Sequence, residues 1–161
     1  MKKYLICSDI HGRESYLESA LQKNAPLDGV YIAGDLELAP YDVEELIRRN
    51  TSPKTDVRMV AGNCDSYIGT AIGLRTSIVF NISPIHKVFM THGHRYMARH
   101  DIMSYAAQDN MCSIVIYGHT HRRIDLEEYG IRFLNPGAMK DNSYMILTID
   151  DDNNIDVKFH Y

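Results

Sequence analysis

Cysteine is scarce in this chain. Its 161 residues hold three, Cys7, Cys64 and Cys112, odd in number, far apart and never paired as C-x-x-C. That argues against a disulfide framework and a cysteine-based zinc site, and fits a reducing, cytoplasmic setting. Long apolar runs are missing too. The amino-terminal stretch MKKYLICSDI starts basic, but its apolar run breaks at Asp9 and lacks the hydrophobic region of a signal peptide. No run approaches the roughly 18 residues that would cross a bilayer, so no membrane partner is expected. Excess positive charge is also absent: the net charge of −4 argues against long nucleic acid as a partner. There is no G-x-S-x-G elbow of a serine hydrolase. Nothing after His121 supplies the Asp-His of a metallo-β-lactamase-type site. No repeat, linker or low-complexity stretch divides the chain, so residues 1–161 read as one domain. A domain of that size buries about 70% of its unfolded surface and needs no covalent staples.

What is present has a regular order. Tyr4-Leu5-Ile6-Cys7 is a short apolar run ending in Ser-Asp, as a buried strand does. Arg13 to Asn24 carries Tyr16, Leu17, Ala20 and Leu21 at helical spacing, closed by Pro26 and Gly29. Val30 to Ala33 is a second strand, Tyr41 to Asn50 a second helix and Asp56 to Val60 a third strand. This β-α-β-α-β series favours a parallel sheet with right-handed crossovers. Beyond residue 75, strands are expected at Ser77–Ile82, Ile85–Thr91 and Ser113–Tyr117, with a short helix over Ile102–Asn110. The tail from Ile124 reads as strands turning at Tyr129-Gly130 and at Asp150 to Asn154. The class is α/β: a mixed sheet pair flanked by helices.

Five of these strands end in a polar cluster beside a glycine. They are Asp9-Ile10-His11-Gly12, Gly34-Asp35, Gly62-Asn63-Cys64-Asp65, His92-Gly93-His94 and Gly118-His119-Thr120-His121. Ligand sites in open α/β sheets lie at the carboxyl ends of strands, and glycine allows tight turns and close backbone approach. Singly, each cluster is explained by turn or capping chemistry. Jointly, imidazole, carboxylate and amide oxygen form the ligand set of a divalent transition metal. Seven candidates, Asp9, His11, Asp35, Asn63, His92, His119 and His121, are too many for one ion. Two ions about 3.5–4 Å apart, bridged by a carboxylate, would use them all; such a pair clamps a phosphoryl group and brings a water's pKa to near 7.

The series D-x-H, G-D, G-N-C-D, H-G-H and G-H-T-H, running from Asp9 through most of the chain, resembles the calcineurin-like metallophosphoesterase superfamily, in particular its small bacterial and archaeal phosphodiesterases. The resemblance implies a four-layer αββα sandwich and a dinuclear site that activates a bridging hydroxide for in-line attack on a phosphodiester. It implies that Asp9, His11, Asp35 and His121 hold one metal, that Asp35 bridges, and that Asn63, His92 and His119 complete the second. Manganese is the usual occupant, with nickel, iron or zinc as others. Asn135-Pro136-Gly137 resembles a structural loop of the small members. The competing class is a binding or scaffold module that kept the fold and lost the chemistry, as in the retromer subunit of this shape; a third class is a thiol enzyme using Cys64.

Many superfamily members read G-N-H-E or G-N-H-D where this chain has G-N-C-D, and that histidine is thought to protonate the leaving oxygen. Here Cys64 stands in its place, a variant that the small phosphodiesterase branch shares. A neutral thiol is a weak hydrogen-bond donor without imidazolium's charge. Cys64 is therefore expected to line the site without ligating, and the substrate to be a small phosphodiester with a good leaving group. His94 is a candidate to orient His92 or touch phosphate. Asp65 is expected to hydrogen-bond within its turn, and Cys7 and Cys112 to be core. Arg13 reads as solvated, and His86, His100 and His160 as ordinary surface residues. Tyr41, Tyr67, Tyr96 and Tyr105 are candidates to line a cleft. A homo-oligomer, most simply a dimer, is compatible with the chain.

Overall fold

The shortest apolar runs belong to strands buried on both faces, each of which stops where a loop must turn. In the computed structural model, which describes residues 1–68 and 73–160 (the side chains of 66–68 excepted), Tyr4, Leu5, Ile6 and Cys7 are all buried within β1, Lys2–Cys7. Alternation sends Leu5 and Cys7 to one side and Tyr4 and Ile6 to the other. The first pair joins a core with α1 (Glu14–Asn24) and α2 (Pro40–Asn50), through Leu17, Leu21, Val43, Leu46 and Ile47. The second pair joins a core between two sheets.

The first sheet contains β1, β2 (Gly29–Ile32), β3 (Asp56–Met59), β9 (Tyr144–Ile149) and β10 (Ile155–His160), in the order β10-β9-β1-β2-β3. β1 pairs parallel with β2, and β2 with β3, as the β-α-β-α-β series requires. β9 adds antiparallel to β1, with Leu5 opposite Ile146. The second sheet contains β4 (Ser77–Asn81), β5 (Lys87–Thr91), β6 (Ile114–Ile116), β7 (Arg123–Glu128) and β8 (Ile131–Pro136), in the order β4-β5-β6-β8-β7. Its inner face supplies Phe80, Val88, Met90, Ile114, Ile116 and Leu134 to the inter-sheet core. Its outer face, Phe89, Val115 and Phe133, is covered by Met103 and Ala107 of α4, His100–Asp109. The layers are therefore helix, sheet, sheet, helix, and both sheets are mixed, as expected.

The helices follow their apolar spacing. α1 buries Leu17, Ala20, Leu21 and Asn24, one face of a 3.6-residue period. α2 opens with Pro40 in its first turn, where a missing N–H costs nothing. It closes with Asn50 Nδ2 and Thr51 Oγ1 donating to the Leu46 and Ile47 carbonyls, at 2.9 and 2.7 Å. One element departs from expectation: the Gly62-Asn63-Cys64-Asp65 cluster, expected as a turn, opens a helix, α3, Asn63–Ile68. Among the described residues, no helix is long and apolar enough to cross a membrane.

Candidate metal centre

The parallel order of β1, β2 and β3, and of β5 and β6 in the facing sheet, brings their carboxyl ends to a common edge. Asp9 and His11 follow β1, Asp35 follows β2, Asn63 follows β3, His92 follows β5, and His119 and His121 follow β6. All seven meet. Asp9 Oδ1 lies 3.1 Å from His121 Nε2, 3.4 Å from His11 Nε2 and 3.8 Å from His92 Nε2. Asp35 Oδ2 lies 3.1 Å from His92 Nε2 and 3.7 Å from His11 Nε2. Asn63 Oδ1 is 3.2 Å from His119 Nδ1, and the His92 and His119 rings meet edge to face at 5.2 Å.

The backbone there is strained. Asp9, His11, Asp35, His119 and His121 have φ of 55°, 47°, 55°, 68° and 61°. Side chains avoid this left-handed region at about 1–2 kcal/mol per residue, and such conformations persist where the surroundings over-determine them, often at functional sites. The loops after β1 and β2 also bond to each other: the Asp9 amide donates to the Gly34 carbonyl (2.9 Å) and the His11 amide to the Asp35 carbonyl (3.0 Å). Two glycines are there for space. A Cβ on Gly34, whose φ is +96°, would meet His92 Nδ1 at 2.7 Å, and one on Gly62 would strike the Asp35 carboxylate.

Hydrogen bonds aim the imidazoles. His92 Nδ1 donates to the Ala33 carbonyl at 2.7 Å and His11 Nδ1 faces Glu37 Oε1 at 3.0 Å. A carbonyl and a carboxylate accept only, so each ring carries a proton on Nδ1 and turns its Nε2 inward. His11 Nε2 and His92 Nε2 are buried without a hydrogen-bond partner; their short distances to carboxylate oxygens lack donor alignment. Ring nitrogens and carboxylate oxygens thus converge on shared space, the donor set of a divalent cation. Donor atoms of Asp9, His11 and His121, and of Asp9, Asp35 and His92, each lie within 4.8 Å of one another. The residues fit divalent metal.

Burial opposes ionisation of Asp35, but His92 beside it, the Cys64 amide and His11 outweigh that and hold its carboxyl well below the usual range. Burial depresses His92, yet Asp35 and Asp9 raise it above its ordinary value. His119 is lowered, first by burial and then by the positive charge of His92. His94 stands at the edge, its ring 5.5 Å from His92 and 6.3 Å from His119, with Nδ1 buried and unpartnered. Burial, then His92 and His119, lower it. Cys64 also comes to the cluster: its amide donates to Asp35 Oδ1 at 2.8 Å, and its sulfur lies within 4.8 Å of donor atoms of His11 and Asp35.

Three further residues act here through their partners. Glu37 holds His11. Asp65, fully buried, accepts from the Gly62 amide (2.8 Å) within its turn, and also from the Glu37 amide (3.0 Å). Asn135, also fully buried, donates to the Gly118 carbonyl (3.0 Å) and Thr120 Oγ1 (3.1 Å), which props the loop carrying His119 and His121. Asp65 bonds within its turn as expected, and Asn135 belongs to the Asn135-Pro136-Gly137 loop expected to be structural; for Glu37 the sequence signal was polarity near a strand end. Other expectations fall away from the cluster. Tyr41 lines a groove with Glu45, Arg49 and Pro53, Tyr96 packs on Phe89, and Tyr105 is exposed on α4; the Tyr67 side chain lies outside the described residues. His100 is more than a surface residue: it stacks on Phe133 at 4.0 Å and bonds Tyr117 and Glu128. His86 bonds the Asn153 carbonyl and His160 stacks on Tyr144.

Known proteins resemble this chain in sequence and in fold. A probable metallophosphoesterase of Bacillus subtilis, YsnB, is 27% identical over 157 residues, 92% of this chain and 85% of that protein. A crystal structure of a predicted phosphoesterase from Streptococcus pneumoniae matches with TM-score 0.77 at 27% identity, covering 98% of this chain and 88% of that one. Vps29 of Entamoeba histolytica, in a single-mutant form, matches the fold with TM-score 0.73 at 22% identity over 98% of both chains. The family model of the calcineurin-like phosphoesterase superfamily domain spans residues 2–152, which includes all five polar clusters; the chain is a member of that superfamily.

Proposed function

We propose that this chain is a divalent-metal-dependent phosphodiesterase. Asp9, His11, Asp35 and His121 would hold one ion, and Asp35, Asn63, His92 and His119 a second. The nitrogen and oxygen donors suit manganese, with nickel, iron or zinc as alternatives. One observation carries the reading: His11 Nε2 and His92 Nε2, buried and unpartnered, face the Asp9 and Asp35 carboxylates. Bound there, two ions supply a hydroxide nucleophile at neutral pH and offset the charge that develops on the phosphoryl oxygens.

The chain's own groups set the geometry. Asp35 Oδ2 lies near both His11 and His92, so Asp35 would help to hold both ions, and its Oδ1 is held by the Cys64 amide. His94 offers a buried, unpartnered Nδ1 beside His92, suited to a phosphoryl oxygen. Cys64 lines the site as a neutral thiol, which favours small diesters with good leaving groups over alkyl monoesters. The likeness to a probable metallophosphoesterase supports the reading. Metal analysis of the purified chain, with assays on bis-p-nitrophenyl phosphate and p-nitrophenyl phosphate, tests it. Bound divalent metal and manganese-stimulated diesterase activity are expected, both lost in Asp35→Asn. A chain that takes up no metal and gains no diesterase activity would sink the proposal. It would favour the scaffold reading, which draws on the likeness to Vps29.

A further inference from the structure

Glu37 lies outside the seven-residue set, yet its backbone repeats the pattern of that set. Asp9 and His11, two residues apart, have φ of 55° and 47°; Asp35 and Glu37, also two apart, have 55° and 52°; His119 and His121 have 68° and 61°. Three loops thus place residues i and i+2 in the left-handed region, and Glu37 is the one member without a place among the candidate ligands. Its amide is pinned to the buried carboxylate of Asp65 at 3.0 Å. Its side chain is 31% exposed and reaches His11 Nδ1 at 3.0 Å.

We infer that Glu37 is a positioning residue, whose carboxylate holds His11 as the Nδ1–H tautomer and turns its Nε2 toward a divalent cation. A carboxylate can only accept, so the proton belongs to His11 Nδ1. His11 Nε2 then faces Asp9 Oδ1 at 3.4 Å and Asp35 Oδ2 at 3.7 Å. Carboxylates behind metal-binding histidines act this way, and their loss typically weakens metal binding about 10- to 100-fold. His92 needs no such partner, because the Ala33 carbonyl does the same for its ring.

The inference rests on the metal reading above, and one set of titrations separates the two. Manganese binding is measured by calorimetry on wild type, Glu37→Ala and Glu37→Gln, with melting temperatures of the chelator-treated proteins. Glu37→Ala should bind manganese about 10- to 100-fold more weakly while melting like wild type. Glu37→Gln, whose amide oxygen still accepts from Nδ1, should recover most of that loss. An alanine variant that binds like wild type overturns the role, as does a glutamine variant as weak as alanine. So does a drop in melting temperature that accounts for the weaker binding. Wild type that binds no manganese overturns the metal reading itself, and this inference with it.

Discussion

The thiol of Cys64 faces the carboxylate of Asp35. Burial first, then the negative charges of Asp35, Glu37 and Asp65, push it up to about 11. At physiological pH it is a neutral, weak donor. Cys64→His would set a stronger acid at the same edge. General acid catalysis contributes about 100-fold or more where it operates, so the variant should raise alkyl phosphomonoester hydrolysis relative to nitrophenyl diester hydrolysis by up to about that factor. Cys64→Ser, which changes one weak donor for another, should leave that ratio nearly unmoved. Steady-state kcat/KM on the two substrates reads both; a ratio indifferent to histidine would contradict the role given to this position. At this scale the seven strand-end donors were legible, because each is a polar residue directly after an apolar run. Glu37 was not, since its importance lies in His11, far away in the chain, and the Asn135 loop was read as structural without its partner Gly118.

Among the elements, α3 is held at its start by two carboxylates, Asp35 from outside and Asp65 from its own first turn. The Cys64 amide is satisfied by Asp35 Oδ1 and the Gly62 amide by Asp65 Oδ2; these are among the orphan donors that open any helix. Gly62 and Asn63 favour turns locally, and six residues offer no apolar period, so the stretch reads as a loop until its caps are known. Asp65→Ala removes a fully buried acceptor from two amides, those of Gly62 and Glu37. Hydrogen bonds to a charged group are worth about 1.5–3 kcal/mol, so the variant should lose about 2–3 kcal/mol and melt about 4–12 °C lower. Asp65→Asn, which keeps one oxygen acceptor, should fall between. Thermal unfolding followed by circular dichroism reads the series, and an alanine variant as stable as wild type would show that these bonds do not hold α3. The strands and the three longer helices were legible to within a few residues, because burial on one face or two imprints its own period.

For the molecule as a whole, the converging donors tie both sheets together at one edge: Asp9 and Asp35 belong to the first sheet, His92 and His121 to the second. A cation bound among them would therefore stabilise the entire sandwich. At a free concentration of 100 times Kd, binding adds about 2.7 kcal/mol, which raises Tm by about 5–11 °C for a chain of this size. Chelator-treated protein should gain that much on adding manganese, and Asp35→Asn should gain far less. A melting temperature insensitive to manganese would count against a site shared by both sheets.

The sequence by itself determined the strand order along the chain, the apolar faces and the polar residue at each strand end, because these follow from local periodicity and the need to bury apolar surface. Tertiary structure alone decided how those residues are aimed. Left-handed backbone at Asp9, His11, Asp35, Glu37, His119 and His121 is unfavourable residue by residue and exists only because neighbouring loops hold it. The tautomers of His11 and His92 are likewise set by Glu37 and Ala33, across 26 and 59 residues of chain.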